Sequence, residues 1–224
     1  MTKRAHIEEF DKNAHSYAKY NIIQTQVAKE LISKVTKKPK KIIDLGCGEG
    51  AIYRLIDWQV DEFIAVDKST QMLTLHPDKG VQKIASSIEE FDYETYSNHF
   101  YISSSAMQWC EDLDCVFQSL QNKKFALALF SANTFKTIHQ SANSTSPVAT
   151  KEKILEAMNK NFKDIAYEIR EYRLFFDSTM QMLQYIKNSG VSGGNNLLSY
   201  TQTKRILTTY AKNYLEFEVI FISN

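Results

Sequence analysis

The sequence predicts an α/β fold in which a mostly parallel sheet carries helices on both faces, and three observations lead there. Short apolar runs alternate with helix-patterned stretches along the 224 residues. One of these runs, Lys41–Leu45, opens directly into Gly46-Cys47-Gly48-Glu49-Gly50. Such a strand-turn-helix context lets a backbone without side chains bend tightly and approach a ligand. The next run, Glu62–Asp67, ends on a carboxylate, the place from which a second parallel strand can reach a ligand held by that turn.

Taken in order, Ile7–Ser33 spaces Phe10, Ala14, Tyr17, Ala18, Ile22, Ile23, Val27, Leu31 and Ile32 at helical intervals, giving two helices with a break near Tyr20-Asn21. Lys37-Lys38-Pro39-Lys40 stops the second helix and leads into β1, Lys41–Leu45. A short helix over Ala51–Trp58 precedes β2, Glu62–Asp67. Ser69 or Thr70 caps a helix over Gln71–Leu75, and Pro77–Gly80 forms a turn. Val81–Ala85 is expected as β3, Phe100–Ser103 as β4, Asp112–Leu120 as a helix and Lys123–Asn133 as the apolar β5. Residues 134–150, rich in Ser, Thr and Asn, read as a loop or short insertion. A helix follows over Lys151–Asn161, then β6 over Ile165–Phe176, a helix over Ser178–Asn188, a break at Gly190–Gly194, a helix over Thr201–Tyr214 and β7 over Leu215–Ser223. The two late strands are compatible with an antiparallel edge to the sheet.

This length suits one domain, with residues 1–36 as an N-terminal helical cap, 40–133 as the ligand-binding core and 134–224 completing the sheet and the substrate side. A hydrophobic content of 43% with 24% charged residues is ordinary for a globular protein, and a net charge of +1 argues against a large nucleic-acid footprint. Cys47, Cys110 and Cys115, an odd number without C-x-x-C spacing, fit a reducing compartment and a cytoplasmic location. The first ten residues lack the apolar core of a signal peptide, and no apolar run reaches the roughly 18 residues of a membrane span. None of the five histidines has metal-ligand spacing with Cys or another His, so no metal is expected.

The turn itself selects the ligand. A dinucleotide site uses G-x-G-x-x-G and places a pyrophosphate on a helix N-terminus. Here the spacing is G-x-G-x-G, with Asp44 before it and Glu49 inside it. Those carboxylates would repel a pyrophosphate, yet they suit a ligand carrying an ammonium and a sulfonium, as S-adenosylmethionine does. Asp67 then stands where a carboxylate accepts both ribose hydroxyls, although a strand-end aspartate also serves as an ordinary helix cap.

Asp44 to Gly50, with the strand ending at Asp67, resembles the motifs of class I S-adenosylmethionine-dependent methyltransferases over roughly residues 40–133. Outside that region Phe10–Tyr17, Ser105–Leu113, Phe130-Ser131 with Ile138–Gln140, and Phe176–Met180 through Ile186–Gly190 occur in the order seen in the malonyl-[acyl-carrier protein] O-methyltransferases of biotin synthesis. The resemblance implies a Rossmann-like class I sheet with an N-terminal helical lid. It implies S-adenosylmethionine as cofactor, bound by Asp44, Gly46, Cys47, Gly48, Gly50, Asp67, Lys68, Met72, Ser87, Ile88 and Ser104. It also implies esterification of the free carboxylate of malonyl-acyl carrier protein, or of malonyl-CoA, with Tyr17 in the lid and Gln108-Trp109 beside the transferred methyl. One departure stands out: many members end β3 with an acidic residue that meets the adenine amino group, where this chain has Ser86-Ser87-Ile88. A serine hydroxyl can still accept that hydrogen bond.

Carboxyl methylation joins an anion to a sulfonium, so a dry pocket of low dielectric favours it. A carboxyl group with a pKa near about 4 needs no general base at neutral pH. Alignment and water exclusion remain, tasks suited to aromatic groups such as Tyr17 and Trp109. Plainer readings stay open. Tyr17 also fits an ordinary amphipathic helix, Trp109 a packing role, His139 a solvated helix, and Cys47 small-residue packing. Arg170, Arg173, Lys204 and Arg205 fit either recognition of an acidic substrate or solvated faces. A methyltransferase for another small acceptor, such as a quinone precursor or free acid, and a non-catalytic cofactor-binding module are the competing functions.

Overall fold

The computed structural model describes residues 21–163, 165–188 and 199–224. Seven strands, β1 (Lys41–Leu45), β2 (Glu62–Asp67), β3 (Val81–Ala85), β4 (Phe100–Ser104), β5 (Lys124–Phe130), β6 (Ala166–Phe175) and β7 (Tyr214–Ser223), form one sheet in the order β3-β2-β1-β4-β5-β7-β6. The first five run parallel, with Ile43 of β1 level with Ile64 of β2 and Tyr101 of β4. The reversed strand is β7, antiparallel to both β5 and β6. It lies one position in from the edge rather than on it.

Burial explains the placement. β7 is apolar almost throughout, with Leu215, Phe217, Val219, Ile220, Phe221 and Ile222 all buried, as a strand covered on both faces requires. β6 instead spaces Glu168, Arg170, Glu171 and Arg173 along a largely exposed strand, which suits a sheet edge, where charge discourages further pairing.

Eight helices are described: α1 (Ile22–Lys34), α2 (Ala51–Leu55), α3 (Thr70–Leu75), α4 (Leu113–Ser119), α5 (Lys136–Ala142), α6 (Lys151–Asn161), α7 (Thr179–Asn188) and α8 (Tyr200–Thr209). Alternate strand residues sort onto two cores. Ile42, Phe63, Ile102 and Ala126 pack with Ile23, Val27 and Leu31 of α1 and with Ile138, Met182 and Ile206 of the later helices. Ile43, Ile64, Tyr101 and Leu127 face Val116 and Phe117 of α4 and Ile154 and Met158 of α6. Each fully buried Ile, Leu or Phe contributes about 1.5–3 kcal/mol, so both faces have to be covered. Ser69, not Thr70, caps α3, its hydroxyl accepting from Met72 N at 3.1 Å.

Four stretches differ from expectation, one being the helix expected over Thr201–Tyr214, which ends at Thr209 with Tyr210 extended. Residues 134–150 contain α5, because Ile138 and Ala142 share one helical face and bury it, while the Glu216 carboxylate accepts from Thr137 N. The helix expected over Ala51–Trp58 ends at Leu55: Ile56 is extended and Trp58 Nε1 donates to Pro39 O at 2.9 Å. A 3₁₀ turn, Met107–Trp109, follows β4. Of the expected N-terminal helical lid over residues 1–36, residues 1–20, Tyr17 among them, lie outside the described residues, and the rest carries α1.

Candidate cofactor and acceptor cleft

Strand order reverses direction between β1 and β4, and a ligand crevice is expected beyond the carboxyl ends of the strands at such a switch point. A cleft is found there, lined by the loops after β1 (Gly46–Gly48), β2 (Asp67–Ser69), β3 (Ser86–Glu89) and β4 (Ser104–Ala106). Asn21, Gln24 and Thr25 of the α1 start close one side, with Trp109 and Cys110 on another.

The glycine turn is shaped by two different needs. Gly46 sits at φ +72°, and a Cβ there would lie 2.2 Å from the Ala106 Cβ, so the β1 and β4 loops can meet only over a bare backbone. Gly48, at φ +53°, has nothing within 4 Å of its absent Cβ: the space above it is open. Its N–H donates to Asp67 Oδ2 at 2.9 Å, while Asp67 Oδ1 accepts from Ser69 N at 2.9 Å. A carboxylate offers about four acceptor sites, so ribose hydroxyls can add to these two bonds without displacing them. Gly50 closes the turn at φ +90° against His76 and Pro77.

Asp44 is the electrostatic centre of the cleft. It is 1% exposed and its Oδ2 has no hydrogen-bond partner. Burial, and then the neighbouring Asp67 charge, raise its pKa well above the usual carboxylate range. An isolated buried acid of this kind calls for a cation, and an open glycine turn beside two carboxylates fits the ammonium, ribose and sulfonium of S-adenosylmethionine better than a phosphate. Burial, with Asp44 next, also pushes the Cys47 thiol up, and burial with Glu89 pushes Cys110 up to about 12. Both stay protonated and unsuited to nucleophilic attack.

Most expected residues meet here. Asp44, Gly46, Cys47, Gly48, Asp67, Lys68, Met72, Ser87, Ile88, Ser104 and Trp109 line the cleft. Ser87 is engaged locally: its hydroxyl donates to Glu90 Oε2 at 2.9 Å and accepts from Glu90 N at 3.2 Å, which leaves one acceptor lone pair. Gln108 turns away from the lining, its Nε2 donating to Ser105 O at 2.7 Å. His139 is 7% exposed rather than solvated, paired with Ser144 Oγ at 3.1 Å, its pKa lowered by burial. Arg170 is bound to Glu30 (3.3 Å) and Glu168 (2.5 Å), and Arg173 stacks on Tyr214. Asn21 and Ser105 escaped sequence reasoning. The Asn21 amide donates to Glu49 Oε1 at 3.4 Å across the mouth of the turn, and no local motif announces it.

Among the described residues no three His, Cys, Asp or Glu side chains are grouped to hold a metal, and no helix is long and apolar enough to cross a membrane.

Residues 43–122 match the family model described as a methyltransferase domain. A Bacteroides thetaiotaomicron relative named malonyl-[acyl-carrier protein] O-methyltransferase is 26% identical over 239 residues, covering 96% of this chain and 91% of its own. Among solved structures, the YcgJ protein from Bacillus subtilis superposes with a TM-score of 0.60 at 14% identity, over 88% of this chain and 98% of its own. A plantazolicin methyltransferase in complex with SAH gives 0.53 at 16% identity, over 99% and 90%.

Proposed function

We propose that this S-adenosylmethionine-dependent methyltransferase esterifies the free carboxylate of malonyl-acyl carrier protein, an early step toward the pimeloyl part of biotin. The observation that carries this reading is the likeness over 96% of the chain to a relative bearing that name. The cleft is consistent with it. A carboxylate acceptor is already ionised at neutral pH, and the two thiols of the cleft are held protonated.

The cofactor, when bound, supplies a methyl group made electrophilic by its positive sulfur. The residues of the chain bind, orient and exclude water. Asp67 would accept the ribose hydroxyls and Asp44 would pair with the ammonium, and the bare Gly48 would let the backbone approach. Met72 and Ile88 supply apolar walls, Lys68 and Ser104 polar rim contacts. Adenine recognition would fall to the Ser86–Glu89 loop, to its backbone and to the acceptor lone pair that Glu90 leaves on Ser87. Trp109 forms the wall beside the acceptor. In this reading residues 1–36 form the lid region, with α1 as its core-packed base and Tyr17 as its aromatic residue, 40–133 the cofactor core and 134–224 the substrate side. The location assigned is cytoplasmic.

Incubating the purified chain with malonyl-carrier protein and labelled cofactor should yield a base-labile methyl ester. Turnover of small acids without carrier protein, and none with it, would replace this acceptor by a free one. Tyr17→Ala should lower turnover more than cofactor affinity, and equal losses would mark it as a fold residue instead.

A further inference from the structure

We propose that Ser105 is an acceptor-binding residue, its hydroxyl donating a hydrogen bond to a carboxylate of the methyl acceptor, with Gln108 the positioning residue that holds it there. The inference rests on the reading of the acceptor as a carboxylate. Ser105 lies in the left-handed region at φ +60°, a conformation costing an L-residue about 1–2 kcal/mol and natural to glycine. Its backbone is held from both sides: N donates to Ala128 O at 2.9 Å and O accepts from Gln108 Nε2 at 2.7 Å. The next residue, Ala106, is wedged over Gly46. Such strain persists where surroundings over-determine it, and it is concentrated at functional sites.

A second cost falls on the same residue. The Ser105 Oγ is shielded from solvent and has no hydrogen-bond partner, a deficit of about 1–3 kcal/mol for a buried polar group. Glycine would remove both costs, yet the position carries serine, on the lining of the cleft that Trp109 and the glycine turn also line. Glu49 and Asp67, which line the same cleft, repel an anionic acceptor, so a hydrogen-bond donor is needed where the acceptor carboxylate is to rest. In the transfer, a lone pair of the acceptor carboxylate forms the new C–O bond while the C–S electron pair returns to sulfur. Ser105 keeps its proton and holds the second oxygen.

The test uses the full chain carrying Ser105→Gly, which removes hydroxyl and strain together, and Ser105→Asn, which tolerates the left-handed region and restores a donor. Two readouts are taken: kcat/KM for malonyl-carrier protein, and calorimetric binding of malonyl-pantetheine to the protein loaded with S-adenosylhomocysteine. Ser105→Gly should lose about tenfold to a hundredfold in both, the effect of deleting one hydrogen bond to a charged group. Affinity for S-adenosylhomocysteine itself should stay within twofold, and Ser105→Asn should recover part of the loss. Gln108→Ala should cost turnover in the wild-type background and little in the Ser105→Gly background; additive losses would overturn its positioning role. If the wild type esterifies malonyl-carrier protein and Ser105→Gly does so equally well, the Ser105 assignment is wrong and the proposed reaction stands. If no ester forms but malonyl-pantetheine binds in a Ser105-dependent way, the assignment stands and the proposed acceptor falls. If neither ester nor Ser105-dependent binding is seen, both are overturned.

Discussion

At the scale of single residues the cleft is governed by two aspartates in opposite situations. Asp67 already accepts two backbone N–H bonds and so holds the turn, in addition to the ligand role proposed for it. Asp67→Ala should weaken S-adenosylhomocysteine binding about a hundredfold or more by calorimetry, since hydrogen bonds to a charged group contribute about 1.5–3 kcal/mol each. Asp44 has a raised pKa in the ligand-free fold, whereas pairing with an ammonium favours its carboxylate. Binding therefore expels a proton at pH values below the raised pKa. Affinity should climb with pH up to that pKa and then level, and Asp44→Asn should flatten the profile; a wild-type profile flat from pH 5 to 8 would contradict the pairing. The sign for stability is the reverse. A folded pKa above the unfolded value of about 3.9 stabilises the empty fold at low pH, and that gain is lost as pH rises through the folded pKa. Gly46→Ala meets Ala106 at 2.2 Å, and overpacking together with left-handed strain should cost about 2–5 kcal/mol in denaturant unfolding. Part of that should return in the Gly46→Ala, Ala106→Gly double variant.

At the scale of elements, α1 has two tasks. Its first turn brings Asn21, Gln24 and Thr25 to the cleft, while its far end is tied to the sheet edge by Glu30. That carboxylate accepts from Tyr172 Oη at 2.6 Å and pairs with Arg170 at 3.3 Å and Lys34 at 3.4 Å, and Lys34 also bonds Glu168. Glu30→Ala should cost about 1 kcal/mol, typical of a partly exposed cluster, and speed amide exchange in α1 ahead of the β-strands. Unchanged exchange would show that the apolar face of Ile23, Val27 and Leu31 holds the helix unaided. The same cluster explains why Arg170 does not await an acidic substrate: its guanidinium is already paired.

At the scale of the whole molecule, the five parallel strands put four loops at one end of the sheet, and the cleft is the consequence. A ligand bound only by the folded chain stabilises it by mass action, so S-adenosylhomocysteine at about a hundredfold over its Kd should add roughly 2.7 kcal/mol and raise Tm measurably. Much of this architecture was legible beforehand, because buried parallel strands are written as short apolar runs and a ligand turn as glycines between carboxylates. Lys41–Gly50 and Glu62–Asp67 carry both signals within ten residues. Even the interior place of β7 is encoded, as the apolar run Val219–Ile222 against the charge-studded β6. By itself, then, the sequence determined the sheet, the turn and the class of ligand, since each is signalled by patterns a few residues long. Tertiary structure alone decided that Asp44 is desolvated beside Asp67, that Ser87 is engaged by Glu90, that Gln108 buttresses Ser105 and that Arg170 is consumed by Glu30. Those outcomes depend on which groups meet across the sheet and its loops, and on how much water is left between them.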